Sequence, residues 1–213
     1  MSAAMNGKIH DFKSEHAWAE AQTGAPYWEQ LYHQWFPDFL SRQPIPPGGV
    51  GQRHGRDTVV VLTNGEQLCV QEKIRRLRDT GDILLEYEHR FRSGYVKPGW
   101  VNADEHYDFL AYVFVPSQVG YLLPFQPLRA AWLGHREEWL KLGGGDRQGF
   151  RLCPAQNRDY VTWSVAVPTK TLYRAVGSAL RVTWEDGAVA SGGEPPGTSH
   201  VGEYGAYRME PLV

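Results

Sequence analysis

The spacing of apolar and polar positions changes several times along the chain, and each change predicts an element. Residues 11–35 (DFKSEHAWAEAQTGAPYWEQLYHQW) are helical in pattern with a break at Gly24-Ala25-Pro26. Beyond the break, Tyr27, Leu31 and Trp35 recur at i, i+4 and i+8 as one apolar stripe. Residues 43–51 (QPIPPGGVG) are dense in proline and glycine and predict a connecting loop. TVVVLT (58–63) and QLCVQEKIR (67–75) are β-branched and apolar, and the Asn64-Gly65 pair between them signals a hairpin. DILLEYEHRF (82–91) predicts a third strand. FLAYVFV (109–115) is apolar almost throughout, as in a central strand covered on both faces. Residues 124–139 (PFQPLRAAWLGHREEW) predict a loop and then a helix, YVTWSVAVP (160–168) another strand, and LYRAVGSAL (172–180) a short helix. The order is that of a single mixed-sheet α/β domain with flanking helices, expected over residues 1–182. From 183 to 213 glycine, proline and serine dominate, which predicts a tail that is poorly ordered or wraps a partner.

Composition narrows the function classes. A chain of 213 residues suffices for one substantial domain, and 24 acidic against 22 basic residues leave a net charge of -2. That disfavours a surface coated in nonspecific nucleic-acid contacts but allows a local basic groove. The two cysteines, Cys69 and Cys153, form neither a disulfide framework nor a CxxC pair. The first residues lack the apolar segment of a signal peptide, and no run approaches 18 apolar residues, so a cytoplasmic protein without membrane contact is expected. The eight histidines show no HExxH or tight His/Cys grouping, which argues against zinc. The triple glycine at 143–145 is followed by Asp146 rather than Lys-Ser/Thr, so it is not a P-loop.

The hairpin carries the candidate chemistry. Phosphodiester hydrolysis calls for a divalent cation on the phosphate and a nearby positive side chain for developing charge. Mg²⁺ takes oxygen ligands, commonly one or two carboxylates with water and phosphate for the rest. Asp57, Gln71 and Lys73 offer such a set, and Gln71 and Lys73, two apart, share one sheet face.

The stretch GRDTVVVLTNGEQLCVQEK (55–73) resembles the PD-(D/E)XK nuclease superfamily, whose fold is restriction-endonuclease-like. In that family an aspartate opens one strand of a hairpin and an (Asp/Glu)-x-Lys triplet lies on the next. Here the triplet is Gln71-Glu72-Lys73, a glutamine variant known among restriction enzymes for modified DNA. A looser likeness to small phage-associated members extends through GDILLEYEHR and DFLAYVFVPSQVGYLLP. The resemblance implies a nuclease with Mg²⁺ or Mn²⁺ as cofactor and nucleic acid, DNA first, as partner. It implies metal ligation by Asp57 and Gln71, with Glu72 in reserve, and makes Lys73 the group that orients water or stabilises the phosphorane.

Turn geometry leaves two registers open. A two-residue loop at Asn64-Gly65 sets Asp57 opposite Glu72. A three-residue loop, with Gly65 left-handed, sets Asp57 opposite Gln71, and this is the register the resemblance favours. Two further acids are candidate ligands: Glu29 on the preceding helix, and Glu86 within an apolar run, where it needs a metal or a partner such as Arg75 or Arg90. Candidate phosphate contacts are Arg53, Arg56, Arg75, Arg76, Arg78, Arg90 and Arg92. Two functions stand: a metal-dependent nuclease, for which a homodimer would allow two strands to be cut, or a non-catalytic binding or assembly subunit of a larger phage or mobile-element complex.

Overall fold

The computed structural model describes residues 12–46 and 55–185. Two helices lead, α1 (Phe12–Thr23) and α2 (Tyr27–Trp35), followed by strands β1 (Phe39–Pro44), β2 (Thr58–Leu62), β3 (Gln67–Arg75), β4 (Asp82–Phe91), β5 (Val96–Pro98), β6 (Phe109–Phe114) and β7 (Val119–Pro124). Helix α3 (Phe125–Gly144), strands β8 (Arg151–Gln156) and β9 (Tyr160–Pro168), helix α4 (Thr169–Val176) and strand β10 (Leu180–Thr183) complete the order.

The fold is α/β, with flanking helices and a large mixed sheet, but it does not hold all the strands. A six-stranded sheet runs β1-β2-β3-β6-β7-β10, and a separate four-stranded sheet runs β5-β4-β9-β8. The expected mixed sheet is present, and a second, antiparallel sheet accompanies it. After β3 the chain turns at Asp79–Gly81, where Gly81 (φ +75°) donates its N–H to Asp79 Oδ1 at 2.8 Å, and β4 departs into the second sheet. The place beside β3 goes to β6, whose pairing with β3 is the one parallel pairing in the larger sheet. The choice follows burial, since β6 is apolar on both faces while β4 carries Glu86, Glu88 and Arg90.

Side-chain alternation along β6 divides the core in two. Ala111 and Val113 face α2, packing with Leu31, Tyr32, Trp35, Val60 and Val70. Leu110, Tyr112 and Phe114 face the second sheet and α3, packing with Ile83, Leu85, Trp132 and Val165. Trp100 and Tyr112 are both buried in this second cluster, as core aromatics.

Several boundaries differ from the sequence pattern. Helix α3 starts directly after β7, with Pro127 tolerated in its first turn. Helix α4 stops at Gly177 (φ +78°), whose N–H returns to the Tyr173 carbonyl at 2.9 Å, so residue 180 opens a strand instead of closing the helix. Strand β10 runs through Thr183, and Trp184 is buried, stacked on Tyr27 at 4.8 Å. The remainder of the expected tail, 186–213, lies outside the described residues, as does much of the proline-rich loop. No helix among the described residues is long and apolar enough to cross a membrane.

Candidate active site

The β2–β3 hairpin adopts the three-residue-loop register: Thr58 faces Val70, Val59 Cys69, Val60 Leu68 and Val61 Gln67. The turn's own groups fix it. Leu62 N–H bonds the Glu66 carbonyl at 2.9 Å, Gly65 N–H returns to the Leu62 carbonyl at 2.9 Å, and Asn64 Oδ1 accepts from Glu66 N–H at 2.9 Å. Gly65 sits at φ +85°, the left-handed conformation a side chain would resist. Strand β3 lies between β2 and β6, but β2 pairs only with Gln67–Val70, so Lys73 is flanked by β6 alone, beside Tyr112 in the parallel pairing.

Period-2 alternation then gives the Gln71-Glu72-Lys73 triplet two destinations. Gln71 and Lys73 lie on the face of Leu110 and Tyr112. Glu72 points to the α2 side, where its Oε1 accepts from the Tyr32 hydroxyl at 2.8 Å and Arg42 Nε at 2.9 Å, and its Oε2 from Arg42 Nη2 at 2.7 Å. The Glu72 and Arg42 side chains are only 5% and 7% exposed, so this is a buried structural ion pair. The reserve ligand is thereby committed elsewhere.

Asp57 sits just before β2 at the strand's end. Its Oδ2 accepts the Glu72 N–H at 2.8 Å, in the place where a continued β2 would have offered a backbone carbonyl. Burial raises its carboxyl above the usual aspartate range, while the Glu72 N–H and the charge of Lys73 work against that rise.

The loop between β5 and β6 adds two groups that no sequence motif marks, Glu105 and Tyr107. Burial likewise raises the Glu105 carboxyl, opposed by Lys73 and reinforced by Asp57, with Lys97 and Glu86 also within electrostatic reach. Glu105 Oε2 and Tyr107 Cε1 both border the space that a side chain at residue 55 would need. A Cβ built there would overlap the carboxylate oxygen and come within 3.1 Å of the ring. Gly55 (φ +74°) therefore serves both the turn and the close approach. Asp57, Lys73 and Glu105 lie within electrostatic reach of one another, Asp57 and Glu105 also reach Tyr107, and Glu86 reaches Glu105, Tyr107 and His89. Burial holds the His89 imidazole below its usual range; Glu86 opposes this and Lys97 and Lys73 add to it.

Several expected residues lie apart from this group. Glu29 is exposed on α2, 4.0 Å from His33, on the far side of the sheet from Lys73. Glu86 pairs with neither of the arginines expected for it, because Arg90 binds Glu88 and Arg75 lies over the Tyr112 ring. Arg56 donates to the His106 carbonyl at 2.6 Å, and Arg76 stacks over Trp18. Arg78 is exposed at the end of β3. Arg90 and Arg92 line a cleft of about 450 Å³ with Arg158, Phe91 and Tyr160. Arg53 falls outside the described residues.

A divalent cation fits this donor set chemically. Gln71 is only 6% exposed, and its Oε1 is buried without a hydrogen-bond partner, as are Glu105 Oε2 and the Tyr107 hydroxyl. Buried oxygens left without donors are costly unless something satisfies them. Among the described residues no three His, Cys, Asp or Glu side chains lie together closely enough to hold a metal. A cation would thus draw on an amide oxygen, water and phosphate besides carboxylate, as Mg²⁺ does. Compared with protein families, curated proteins and solved structures, the chain matches no family model, no curated protein and no solved structure, so its functional reading rests on this geometry.

Proposed function

We propose that the protein is a metal-dependent nuclease of restriction-endonuclease-like type that hydrolyses phosphodiester bonds in nucleic acid, DNA first. The observation that carries the reading is the hairpin register, which aligns Gln71 and Lys73 on one face beside the anchored carboxylate of Asp57. Bound Mg²⁺ or Mn²⁺ would neutralise phosphate charge and lower the pKa of water. Asp57 and Gln71 hold the cation. Lys73 directs water at phosphorus and stabilises the added negative charge. The water oxygen bonds to phosphorus as the P–O ester bond breaks; the attacking water gives a proton to solvent, and the departing ester oxygen takes one from solvent.

The test is a nuclease assay on single-stranded, duplex and branched substrates with Mg²⁺ and Mn²⁺. Asp57→Ala and Lys73→Met should each abolish cleavage while keeping the circular dichroism of the parent. Cleavage by Asp57→Ala at the parent's rate removes the assignment. A second reading, a non-catalytic nuclease-like subunit of a phage or mobile-element complex, is favoured by one feature: an amide at position 71, a weaker ligand than a carboxylate. That subunit binds no Mn²⁺ and cuts none of the substrates.

A further inference from the structure

We propose that Glu105 supplies the second carboxylate of the cation site, standing in for the acid that position 71 lacks. This rests on the nuclease reading and assigns a ligand outside the hairpin, from the loop that leads into β6. Three observations converge. The Glu105 carboxylate occupies the space a Cβ of residue 55 would fill, two residues before Asp57, and that space is open only because Gly55 has no side chain. Its Oε2 is buried with no donor. Tyr107 is only 3% exposed, its ring edge borders the same space beside Gly55, and its hydroxyl also has no partner. A carboxylate and a phenol packed side by side, each with an unused polar atom, are placed to share a third species.

The chemistry of the group specifies that species. Two carboxylates and an amide carbonyl are hard oxygen donors, suited to Mg²⁺ or Mn²⁺ rather than to zinc or copper. Lys73 and Lys97 lie within electrostatic reach of Glu105, so an anionic phosphate is also accommodated next to the cation. The Tyr107 hydroxyl can donate to a water or phosphate oxygen that completes the shell. Loss of the acid at position 71 is thus offset from a different part of the chain.

The experiment is calorimetric titration of MnCl₂ into the full chain and into Asp57→Asn, Glu105→Gln, Glu105→Asp and Glu29→Gln. The parent should bind Mn²⁺, and Glu105→Gln and Asp57→Asn should each weaken binding at least tenfold. Glu105→Asp, which keeps the charge, should recover part of the loss, and Glu29→Gln on the far side should bind as the parent does. Circular dichroism identifies any variant that fails to fold, and the charge-retaining aspartate then decides the point. If Glu105→Gln binds Mn²⁺ like the parent while Asp57→Asn does not, the assignment of Glu105 is overturned and the nuclease reading survives. If the parent binds no Mn²⁺, both fall.

Discussion

The buried pair of Glu72 and Arg42 offers the sharpest test of how the triplet divides its roles. Glu72 receives three hydrogen bonds, two from Arg42 and one from Tyr32, and so ties β3 to β1 and α2 across the sheet. Replacing Glu72 by alanine leaves a guanidinium buried without its counter-charge, which costs about 3–5 kcal/mol in comparable sites. The Tyr32 hydroxyl loses its acceptor as well, about 1 kcal/mol or more. Arg42 still donates to the Thr23 carbonyl at 2.8 Å and still lies over the Trp28 ring, 5.0 Å from its centroid, so part of its charge remains satisfied. The expected loss for Glu72→Ala is therefore near the lower end, about 3 kcal/mol. With a urea m-value of about 2–3 kcal/mol/M, the unfolding midpoint should fall by roughly 1 to 1.5 M. The triple variant Glu72→Leu/Arg42→Met/Tyr32→Phe, which removes every charge and the hydroxyl together, should return to within about 1 kcal/mol of the parent or exceed it. Urea unfolding followed by tryptophan fluorescence reads both. A midpoint for Glu72→Ala within about 0.3 M of the parent, together with lost Mn²⁺ affinity, would falsify the structural role and return Glu72 to the site.

Two further outcomes follow from the site itself. Asp57→Asn should raise stability at pH 7 in EDTA: the folded carboxyl binds its proton more tightly than the unfolded one, so native stability declines as pH rises from the ordinary aspartate value through the raised one. Asparagine can still accept the Glu72 N–H, and its advantage in thermal midpoint should shrink as the pH is lowered towards 4; an advantage that grows instead contradicts burial as the cause. Gly55→Ala places a methyl group on the Glu105 carboxylate in a left-handed backbone, which by itself costs about 1–2 kcal/mol. It should lower the thermal midpoint and weaken Mn²⁺ binding together, and a variant unchanged in both would show that Glu105 does not depend on this packing.

Legibility in the sequence followed the reach of each signal. The hairpin, β6 and the stripe of α2 are local patterns, and they appear where period and turn chemistry put them. The register needed more, because valines occupy both faces of β2 and apolar alternation cannot choose; Asn64 and Gly65 make the choice through hydrogen bonds and a left-handed backbone. Strand β7 was missed although Pro116-Ser117-Gln118 interrupts the apolar run; the break is a tight 3₁₀ turn ended by Gln118 at φ +53°, with no glycine at the left-handed position. The second sheet was hidden because the partners paired between β4 and β9 lie 69 to 86 residues apart. Arg42 stood unremarked because its role depends on Glu72, 30 residues away. Glu105 lies in an irregular loop, and only the missing side chain of Gly55 hinted at a close approach.

A glutamine inside the triplet takes on a physical meaning once the neighbours are known. Position 71 is almost wholly buried, beside β6 and on the face where Asp57 and Glu105 already feel one another's charge. A third carboxylate there would add like-charge repulsion in a poorly solvated site, raising all three further and favouring a protonated, non-ligating form in the absence of cation. An amide keeps an oxygen available without that penalty. The acid next to it, Glu72, escapes the conflict because alternation turns it to the opposite face, where Arg42 awaits it. One strand thus anchors the fold with Glu72 and turns Gln71 and Lys73 to the opposite face. The hairpin register is set at the turn by Asn64 and Gly65, and on the far face Glu72 ties the same strand to β1 and α2.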